Sequence, residues 1–319
     1  MVLTFQSLRV GGNPFATTSV YCRIAFLERQ WGVHFPIGGT GSFLRGLVRL
    51  IEGQGGAVRC SAKVAQICVT DRNAARSVRL SDGENLAADV VVSNGDSAWT
   101  YKHLLAPGHR HRWTDKRIER SPFSMSLFVW CLGTDGRDED VAHHAILLGP
   151  RYRELLGDSF ARKLLAEDFS RYLHRPTATD PSCAPAGCDA FYVRSPVPHL
   201  DSGTDWERTA EPYRLAVQQR LEEKLLPGLG NAIVASRLLT PQDFQDRLSS
   251  FKGAAFGLEL VLTQSAWFRP HNRSEEVDRL YLVGAGTHPG VGLPGVLSSA
   301  CILDKVVPHA DVLIRARSA

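Results

Sequence analysis

The feature that most constrains how this chain can fold is a glycine-rich loop between a predicted strand and a predicted helix near its C-terminal end. The strand covers residues 280–283, four closely spaced glycines follow it, and the helix begins near Leu293 or Pro294. Glycine lets a backbone approach a ligand where a Cβ atom would clash, and proline is tolerated in a first helical turn. The free amides and positive dipole end of such a helix suit an anion. The segment therefore predicts an anion or cofactor site, with a purely structural loop as the open alternative.

This loop does not complete the dinucleotide-binding fingerprint. Gly284 and Gly286 supply only its first two glycines, without the third glycine three residues on and the acidic residue about 20 residues further along. No other segment of the chain contains the complete fingerprint. The pattern alone therefore does not identify the ligand.

A second ordered region runs from residue 35 to residue 96. Apolar residues recur at helical spacing through residues 44–51, and glycines end that helix. Strand-like stretches follow at 58–60, 64–69 and 77–80, with Asp82 and Gly83 forming a tight hairpin turn. The apolar run at 88–94 predicts a strand that is buried on both faces.

The middle of the chain mixes helix and strand patterns without an internal repeat. Strands are predicted at 124–131 and 190–193, and helices at 152–160 and 213–225. A dinucleotide-type region, a long insertion and a return to a glycine-rich element predict an α/β fold in which a discontinuous domain encloses an inserted α+β domain. The predicted segments are 1–34, grouped with the inserted domain, 35–96 and 266–319 for the discontinuous domain, and 97–265 for the inserted domain.

Composition excludes several classes of protein. Hydrophobic residues make up 44% of the chain and charged residues 22%, which is ordinary for a globular protein and argues against disorder. The net charge of +4 comes without a block of like charges, so no nucleic-acid partner is expected. Seven cysteines at irregular spacing predict reduced thiols. Without an apolar run of membrane-spanning length or a signal peptide, we expect a cytoplasmic protein that is soluble or lies on a membrane.

A few other residues have the chemistry of a site. His143 and His144 are adjacent, so on a regular strand or helix they point in different directions, and no metal site is predicted. Trp130, Trp267 and Phe268 either line an apolar tunnel or belong to the core, and the core is favoured for buried aromatic residues. No catalytic side chain is assigned.

The loop and several other segments together resemble one family. Residues 280–296 closely resemble the C-terminal signature of bacterial-type phytoene desaturases, and further family-like segments occur in family order from the first residues to about Ala300. These segments are Val10–Phe15, Trp31–Pro36, Gly38–Gly41, Ala142–His144, Gly149–Leu155, Asp168–Ser170, Tyr172–His174, Pro196–Pro198 and Thr263–Arg273.

The resemblance implies a flavoprotein of the amine-oxidase-like superfamily that uses FAD to desaturate phytoene or a related carotenoid. It implies that 35–96 and 266–319 bind FAD in a Rossmann-like domain, that 97–265 binds the substrate, and that the protein lies on the inner face of the cell membrane. Residues 89–95 match the strand that returns to the cofactor domain. The residues that the resemblance places at FAD are Val64, Gly284, Ala285, Gly286, Thr287, His288, Pro289, Gly290, Val291, Gly292, Leu293, Pro294, Gly295 and Val296.

The chain also departs from the family pattern. It begins after the N-terminal βαβ unit that carries the pyrophosphate-binding turn in the family, so we expect the C-terminal two-thirds of such a protein and a possible complementing N-terminal polypeptide. Arg279 and Ile37 stand where relatives often carry asparagine and arginine. The alternatives are a non-catalytic or partner-dependent fragment, a carotenoid isomerase-like flavoprotein and an amine oxidase relative.

Overall fold

A computed structural model describes residues 2–166 and 170–315. The chain forms two compact units, each built from separated segments. Unit 1 comprises Met1–Ile24, Ser61–Ser124 and Gln245–Ala319, and unit 2 comprises Ala25–Cys60 and Met125–Phe244. These divisions differ from the predicted ones, which fall after residues 34, 96 and 265. Which segments bind the cofactor or the substrate stays a prediction. Asp168 and Phe169 of the family-like segments lie outside the described residues.

Unit 1 contains the described N-terminal and C-terminal elements. They are α1 (Val2–Arg9), β1 (Val64–Val69), β2 (Ala75–Leu80), β3 (Asn85–Ala87), β4 (Val91–Ser93), α4 (Ser97–Trp99) with a π-helical turn (Thr100–Leu104), α5 (Asp115–Arg120), β10 (Leu280–Leu282), α10 (Leu293–Val306) and α11 (Ala310–Arg315). Strands β1, β2 and β3 form an antiparallel sheet, and β4 pairs with β10 in parallel.

Unit 2 contains most of the remaining elements. They are α3 (Gly39–Gly53), β5 (Ser126–Asp135), β6 (His144–Leu147), α6 (Tyr152–Leu156) with a π-helical turn (Gly157–Arg162), β7 (Arg171–His174), β8 (Cys188–Val197), α7 (Trp206–Lys224), α8 (Leu229–Ala232) and β9 (Ile233–Leu239). A boundary between the two units falls within each of two helices, α2 (Arg23–Trp31) and α9 (Pro241–Leu248). Short 3₁₀ turns lie at Ser19–Cys22, Pro107–His109, Pro176–Ala178, Pro181–Cys183, Leu200–Ser202, Phe251–Gly253, Leu262–Gln264 and Ala266–Phe268.

The β1–β3 sheet follows the sequence pattern closely. Ile67 of β1 and Ala75 of β2 are buried in the unit 1 core, and in β2 the exposed Arg76 and Arg79 alternate with the buried Ser77 and Leu80. Gly83 adopts a φ of 94°, and the Asp82 carboxylate accepts a hydrogen bond from the Glu84 amide at 3.0 Å. The predicted hairpin is therefore confirmed, whereas residues 58–60 form no strand.

Strand β4 is shorter and less buried than the sequence predicts. Only Val91–Ser93 are in strand conformation, and the Val92 side chain is 42% exposed while Val91 is buried. Within the described part of the chain its one strand partner is β10, where Leu280 pairs with Val91. The prediction of burial on both faces over 88–94 is wrong because the apolar side chains on one face of β4 remain open to solvent.

The core of unit 2 lies between a five-stranded antiparallel sheet and α7. The strand order is β6-β7-β8-β5-β9, and β5 and β8 pair along their whole length. Trp130 on β5 is completely buried and donates a hydrogen bond from Nε1 to Ser236 Oγ at 2.9 Å. Val217 and Leu221 of α7 belong to the same apolar cluster. Trp130 is therefore a core residue, as favoured.

Helix α3 confirms the helix that the apolar spacing of residues 44–51 predicts. Gly38 precedes it with a φ of 81°, and the Gly38 amide donates to Asp180 Oδ2 at 2.6 Å. Five of its apolar side chains are nonetheless 39–57% exposed, whereas Val48 is less exposed. Those five side chains are Phe43, Leu44, Leu47, Leu50 and Ile51.

Candidate functional site

The candidate site is formed in unit 1 where β4 and β10 end. Because parallel strands have their carboxyl ends at the same edge, the loops that follow the two strands meet there. Leu282 pairs with Ser93, and the Val283 amide donates to the Ser93 carbonyl at 3.0 Å. The glycine-rich loop that follows β10 thus lies against residues 94–97.

Several glycines of the loop are required by this close packing. Gly284 has a φ of 104°, and a Cβ atom there would overlap Asn94 Oδ1. A Cβ atom on Gly286 would lie 3.1 Å from the Ser97 amide nitrogen, and Ser97 Oγ donates to the Gly286 carbonyl at 3.1 Å. Gly284 and Gly286 are therefore explained by contact between the two loops, which favours a structural reason for this half of the motif.

A buried polar network fixes the loop to α10. Ser299 Oγ on α10 accepts hydrogen bonds from the Gly284 amide at 3.2 Å and from Asn272 Nδ2 at 2.8 Å. Thr287 Oγ1 donates to the Gly284 carbonyl at 2.9 Å and lies 3.1 Å from Ser299 Oγ. Asn272, Thr287 and Ser299 are all buried. The sequence analysis assigned Thr287 to the cofactor, which stays a prediction, and it missed the role of Asn272 and Ser299.

Arg269 is the largest buried polar group beside the loop. Its side chain is 1% exposed and donates from Nη2 to the Ala285 carbonyl at 2.9 Å and from Nη1 to the Gln264 carbonyl at 3.0 Å. Burial lowers the pKa of Arg269, and the negative charge of Asp96 opposes that shift. This guanidinium therefore joins the glycine-rich loop to the preceding segment.

Asp96 follows β4 and caps α4. Its Oδ1 atom accepts a hydrogen bond from the Trp99 amide at 2.9 Å. Burial raises the pKa of Asp96 to about 6, against the lowering effect of backbone amides and of the Arg269 charge. The Asp96 carboxyl therefore changes its protonation state near pH 6.

The outer half of the loop leads into α10 with free backbone donors. The Val296 amide donates to the Gly292 carbonyl at 2.9 Å, which begins the helix. Among the described residues, the amides of Gly290, Val291 and Leu293 have no hydrogen-bond acceptor. A Cβ atom on Gly295 would lie 2.6 Å from the Gly290 carbonyl oxygen, so the loop folds tightly onto the helix. This end of a 14-residue helix suits a partial negative charge.

His288 lies in the same loop with an unsatisfied ring atom. Its backbone amide donates to the Pro270 carbonyl at 3.0 Å, and its peptide bond to Pro289 is cis. Its Nδ1 atom is buried and has no hydrogen-bond partner in the described part of the chain. The ring meets Trp267 edge-on at 6.1 Å. Such an orphaned polar atom fits a contact with a ligand.

Val64 lines a groove of unit 1 that extends to Asn94 and Gly95. The groove has a volume of about 370 Å³, which is within the range of small-molecule sites. Apolar walls come from Val64, Ile67 and Leu104, and polar atoms come from Asn94 and Gly95. Asn94 also borders Gly284, so this residue adjoins both the groove and the glycine-rich loop. These features fit part of a dinucleotide cofactor.

The other aromatic and histidine candidates are located as follows. Trp267 is 67% exposed and Phe268 is 59% exposed, so the preference for a core role is wrong for both. His143 and His144 do not point apart, because His143 precedes β6 and lies outside the strand's alternation. Their ring centroids are 4.4 Å apart in unit 2.

Comparison with known proteins identifies the family. Residues 3–302 match the family described as flavin containing amine oxidoreductase. The chain belongs to this family. It is 48% identical over 313 residues to a neurosporene-forming phytoene desaturase from Rhodobacter capsulatus, and 50% identical over 301 residues to a lycopene-forming phytoene desaturase from Pseudescherichia vulneris. These matches cover 97% and 93% of this chain, which spans 60% of the length of each relative.

Solved structures show the same fold. An oxidoreductase from Methanosarcina mazei matches 95% of the chain, and 64% of its own length, with a TM-score of 0.64 and 19% identity. A redesigned putrescine oxidase matches 85% of the chain, and 54% of its own length, with a TM-score of 0.54 and 12% identity. The predicted α/β flavoprotein fold and the resemblance to phytoene desaturases are therefore confirmed, and the family supports FAD as the cofactor.

The raised pKa of Asp96 predicts a pH dependence of stability. Because the folded pKa of about 6 exceeds the unfolded value of 3.8, this carboxyl favours the folded state below about pH 4, and that contribution is lost as the pH rises through 6. The shift corresponds to roughly 3 kcal/mol, which we reduce to about 1–2 kcal/mol because Asp96 keeps some access to solvent. Urea unfolding of the wild type and Asp96→Asn at pH 4 and pH 7.5 measures this difference.

The variant Asp96→Asn keeps a good helix cap but removes the titrating group. If the side-chain amide of the introduced asparagine is poorly placed, the resulting change in the free energy of unfolding is the same at both pH values. We therefore expect the stability of Asp96→Asn, relative to the wild type, to rise between pH 4 and pH 7.5. Parallel stability curves for the two proteins would show that Asp96 titrates normally.

Proposed function

We propose that this chain forms the flavin-facing and substrate-binding part of an FAD-dependent phytoene desaturase. The observation that carries the proposal is 48% identity over 97% of the chain to a phytoene desaturase, with the glycine-rich loop folded onto the start of α10. The reaction would remove hydrogen from a saturated carbon–carbon link of a polyene. The curated relatives are named for neurosporene, lycopene or ζ-carotene as products, so the proposal leaves the number of desaturation steps open.

FAD would bind to unit 1 at two places. The groove at Val64 would hold the adenine end, and residues 284–296 would face the isoalloxazine ring. FAD, when bound, would supply the two-electron acceptor for the hydrogen that leaves the polyene. The amides of Gly290, Val291 and Leu293 and the dipole of α10 would stabilise negative charge on the ring system. His288 Nδ1, which is buried and has no hydrogen-bond partner among the described residues, would contact the cofactor or the substrate.

An additional polypeptide segment is part of the proposal. Five apolar side chains of α3 are 39–57% exposed, which is unusual for an amphipathic helix in a globular protein. The phytoene desaturase relatives extend beyond the part that this chain matches. We infer that an N-terminal segment, either continuous with this chain or separate, covers this face and completes the pyrophosphate site.

Flavin binding and product formation test the proposal. The purified chain would be mixed with FAD, with and without the part of the Rhodobacter capsulatus relative that lies outside the match. We expect flavin absorbance to remain with the protein after desalting when that segment is present, and liposomal phytoene to be converted to desaturated carotenoids. If the protein binds one equivalent of flavin but only isomerises the carotenoid, the result favours a carotenoid isomerase. If it binds flavin and oxidises amines instead, the result favours an amine oxidase.

Binding to a membrane surface forms a further part of the proposal. Among the described residues, no helix combines the length and the hydropathy that a membrane-spanning segment requires. Leu262, Trp267 and Phe268 lie on two consecutive 3₁₀ turns of unit 1 and are 59–67% exposed, a composition typical of interfacial contact. We propose that these turns bind the bilayer in which the polyene dissolves.

Sedimentation with vesicles of phosphatidylethanolamine and phosphatidylglycerol measures this binding. We expect the double variant Trp267→Ser and Phe268→Ser to lose at least tenfold in vesicle affinity, because about two large apolar contacts are removed. The variant Val234→Ser is a matched control, since Val234 is 67% exposed in unit 2. Equal sedimentation of the wild type and both variants would show that these turns do not bind the membrane.

A further inference from the structure

Three histidines meet at one edge of the unit 2 sheet. His144 on β6 pairs directly with His174 on β7, and His143 precedes β6. The ring of His143 lies 4.7 Å from that of His174, and the rings of His144 and His174 are 5.2 Å apart, between centroids. One ring nitrogen from each residue lies within 4.8 Å of the other two.

The hydrogen bonds of the three rings direct nitrogen atoms towards one another. His143 Nε2 lies 2.8 Å from His174 Nε2. The other nitrogen of His143 contacts Thr179 Oγ1, and His144 Nδ1 contacts the Tyr172 hydroxyl at 2.6 Å. Outer hydrogen bonds of this kind orient the histidines of metal sites. His143 and His144 therefore each have an outer hydrogen-bond partner, and each of the three rings brings one nitrogen near the other two.

The distances are close to those of a coordinated ion. Two Zn–N bonds of about 2.0–2.1 Å at a tetrahedral angle hold their nitrogens roughly 3.3 Å apart. The His143–His174 pair at 2.8 Å needs to open by about half an ångström to reach that separation. The third nitrogen, within 4.8 Å, needs a ring rotation, which the exposed position of His144 allows.

The chemistry of the cluster selects the class of ion. The three ligands are imidazoles, and the cluster of described residues includes no carboxylate. The Arg194 guanidinium lies 4.6 Å from the centre of the Tyr172 ring, so a positive charge borders the site. Mg²⁺ and Ca²⁺ require several oxygen ligands and negative charge, whereas imidazoles suit Zn²⁺, Co²⁺, Ni²⁺ and Cu²⁺. Exposure of His144 leaves the remaining coordination position to water.

We propose that His143, His144 and His174 form a binding site for a divalent transition-metal ion of the zinc type. Strand β6 has four residues, lies at the edge of the sheet and pairs with β7 alone among the described strands. An ion held by His144 and His174 links this edge strand to β7. The ion therefore stabilises the edge of unit 2, independently of the cofactor site in unit 1.

Zinc binding to the full chain tests the site. The protein would be prepared without a histidine tag, treated with EDTA, desalted and titrated with ZnCl₂ in a calorimeter. We expect one equivalent to bind, and His144→Asn to weaken the affinity at least tenfold. His144 is exposed, so this variant retains the buried parts of the sheet. His111→Asn is the control, because His111 is exposed in unit 1 and its backbone amide alone contacts Glu276.

Two further measurements separate a built site from weak surface binding. Co²⁺ at one equivalent is expected to give the intense visible bands of a low-coordinate nitrogen site, and His144→Asn is expected to lose them. Hydrogen exchange at 144–147 and 171–174 is expected to slow when Zn²⁺ is added. Equal zinc affinity in the wild type, His144→Asn and His111→Asn would overturn the proposal, as would slowed exchange confined to other segments.

Discussion

Replacing Arg269 with methionine is expected to lower the free energy of unfolding by about 3–5 kcal/mol. Methionine retains much of the side-chain volume but leaves the carbonyls of Ala285 and Gln264 without their donors. It also leaves the half-buried Asp96 without the positive charge that now lowers its pKa. Urea unfolding of the full chain at pH 7.5, monitored by circular dichroism, measures the loss.

Arg273→Met is a matched control for this experiment. Arg273 lies in the same segment of the chain, but its side chain is 66% exposed and pairs with Asp278 at 3.3 Å on the surface. Exposed ion pairs contribute about 0–1 kcal/mol, so the control should change stability very little. Similar losses for the two variants would show that the burial of Arg269 has no special effect on stability.

The coupling between Arg269 and Asp96 can be measured directly. If the Arg269 charge stabilises the ionised Asp96 carboxylate, adding Asp96→Asn to Arg269→Met should recover about 1–2 kcal/mol of the free energy of unfolding at pH 7.5. At pH 4 Asp96 is protonated in the folded protein, so the recovery should disappear. A recovery of equal size at both pH values would indicate a change in packing instead of charge.

The local pattern predicts the glycine-rich loop and its flanking strand and helix correctly, because glycine, proline and apolar spacing act within a few residues. The strand that pairs with β10 lies almost 190 residues earlier in the chain, as the contact of Leu280 with Val91 shows. No local pattern contains that pairing. Asn272 and Ser299 were missed for the same reason, since each acquires its role from hydrogen bonds formed after the loop and α10 fold together.

Two wrong predictions have a common physical origin. The run at 88–94 is apolar enough for a strand buried on both faces, but Val92 remains exposed on one face. His143 and His144 were expected to point apart, yet His143 lies outside the regular strand. In both cases side chains do alternate along a regular strand. The residues at which the strand begins and ends, and the elements that pack against it, are set by the whole fold and not by the local sequence. The assignment of Val64 and residues 284–296 to FAD stays a prediction.

Replacing Gly284 with alanine is expected to cost about 3 kcal/mol of stability, from two separable effects. A φ of 104° is strained for any residue with a Cβ atom, and that atom would also overlap Asn94 Oδ1. Gly83→Ala isolates the first effect, because Gly83 has a φ of 94° in the same unit and a Cβ atom there would meet nothing within 4 Å. We expect this control to lose only about 1 kcal/mol, so the difference measures the contact with Asn94. Adding Asn94→Ala to Gly284→Ala should then restore most of that difference, whereas equal losses for the two glycine variants would mean that the loops of β4 and β10 do not pack this closely.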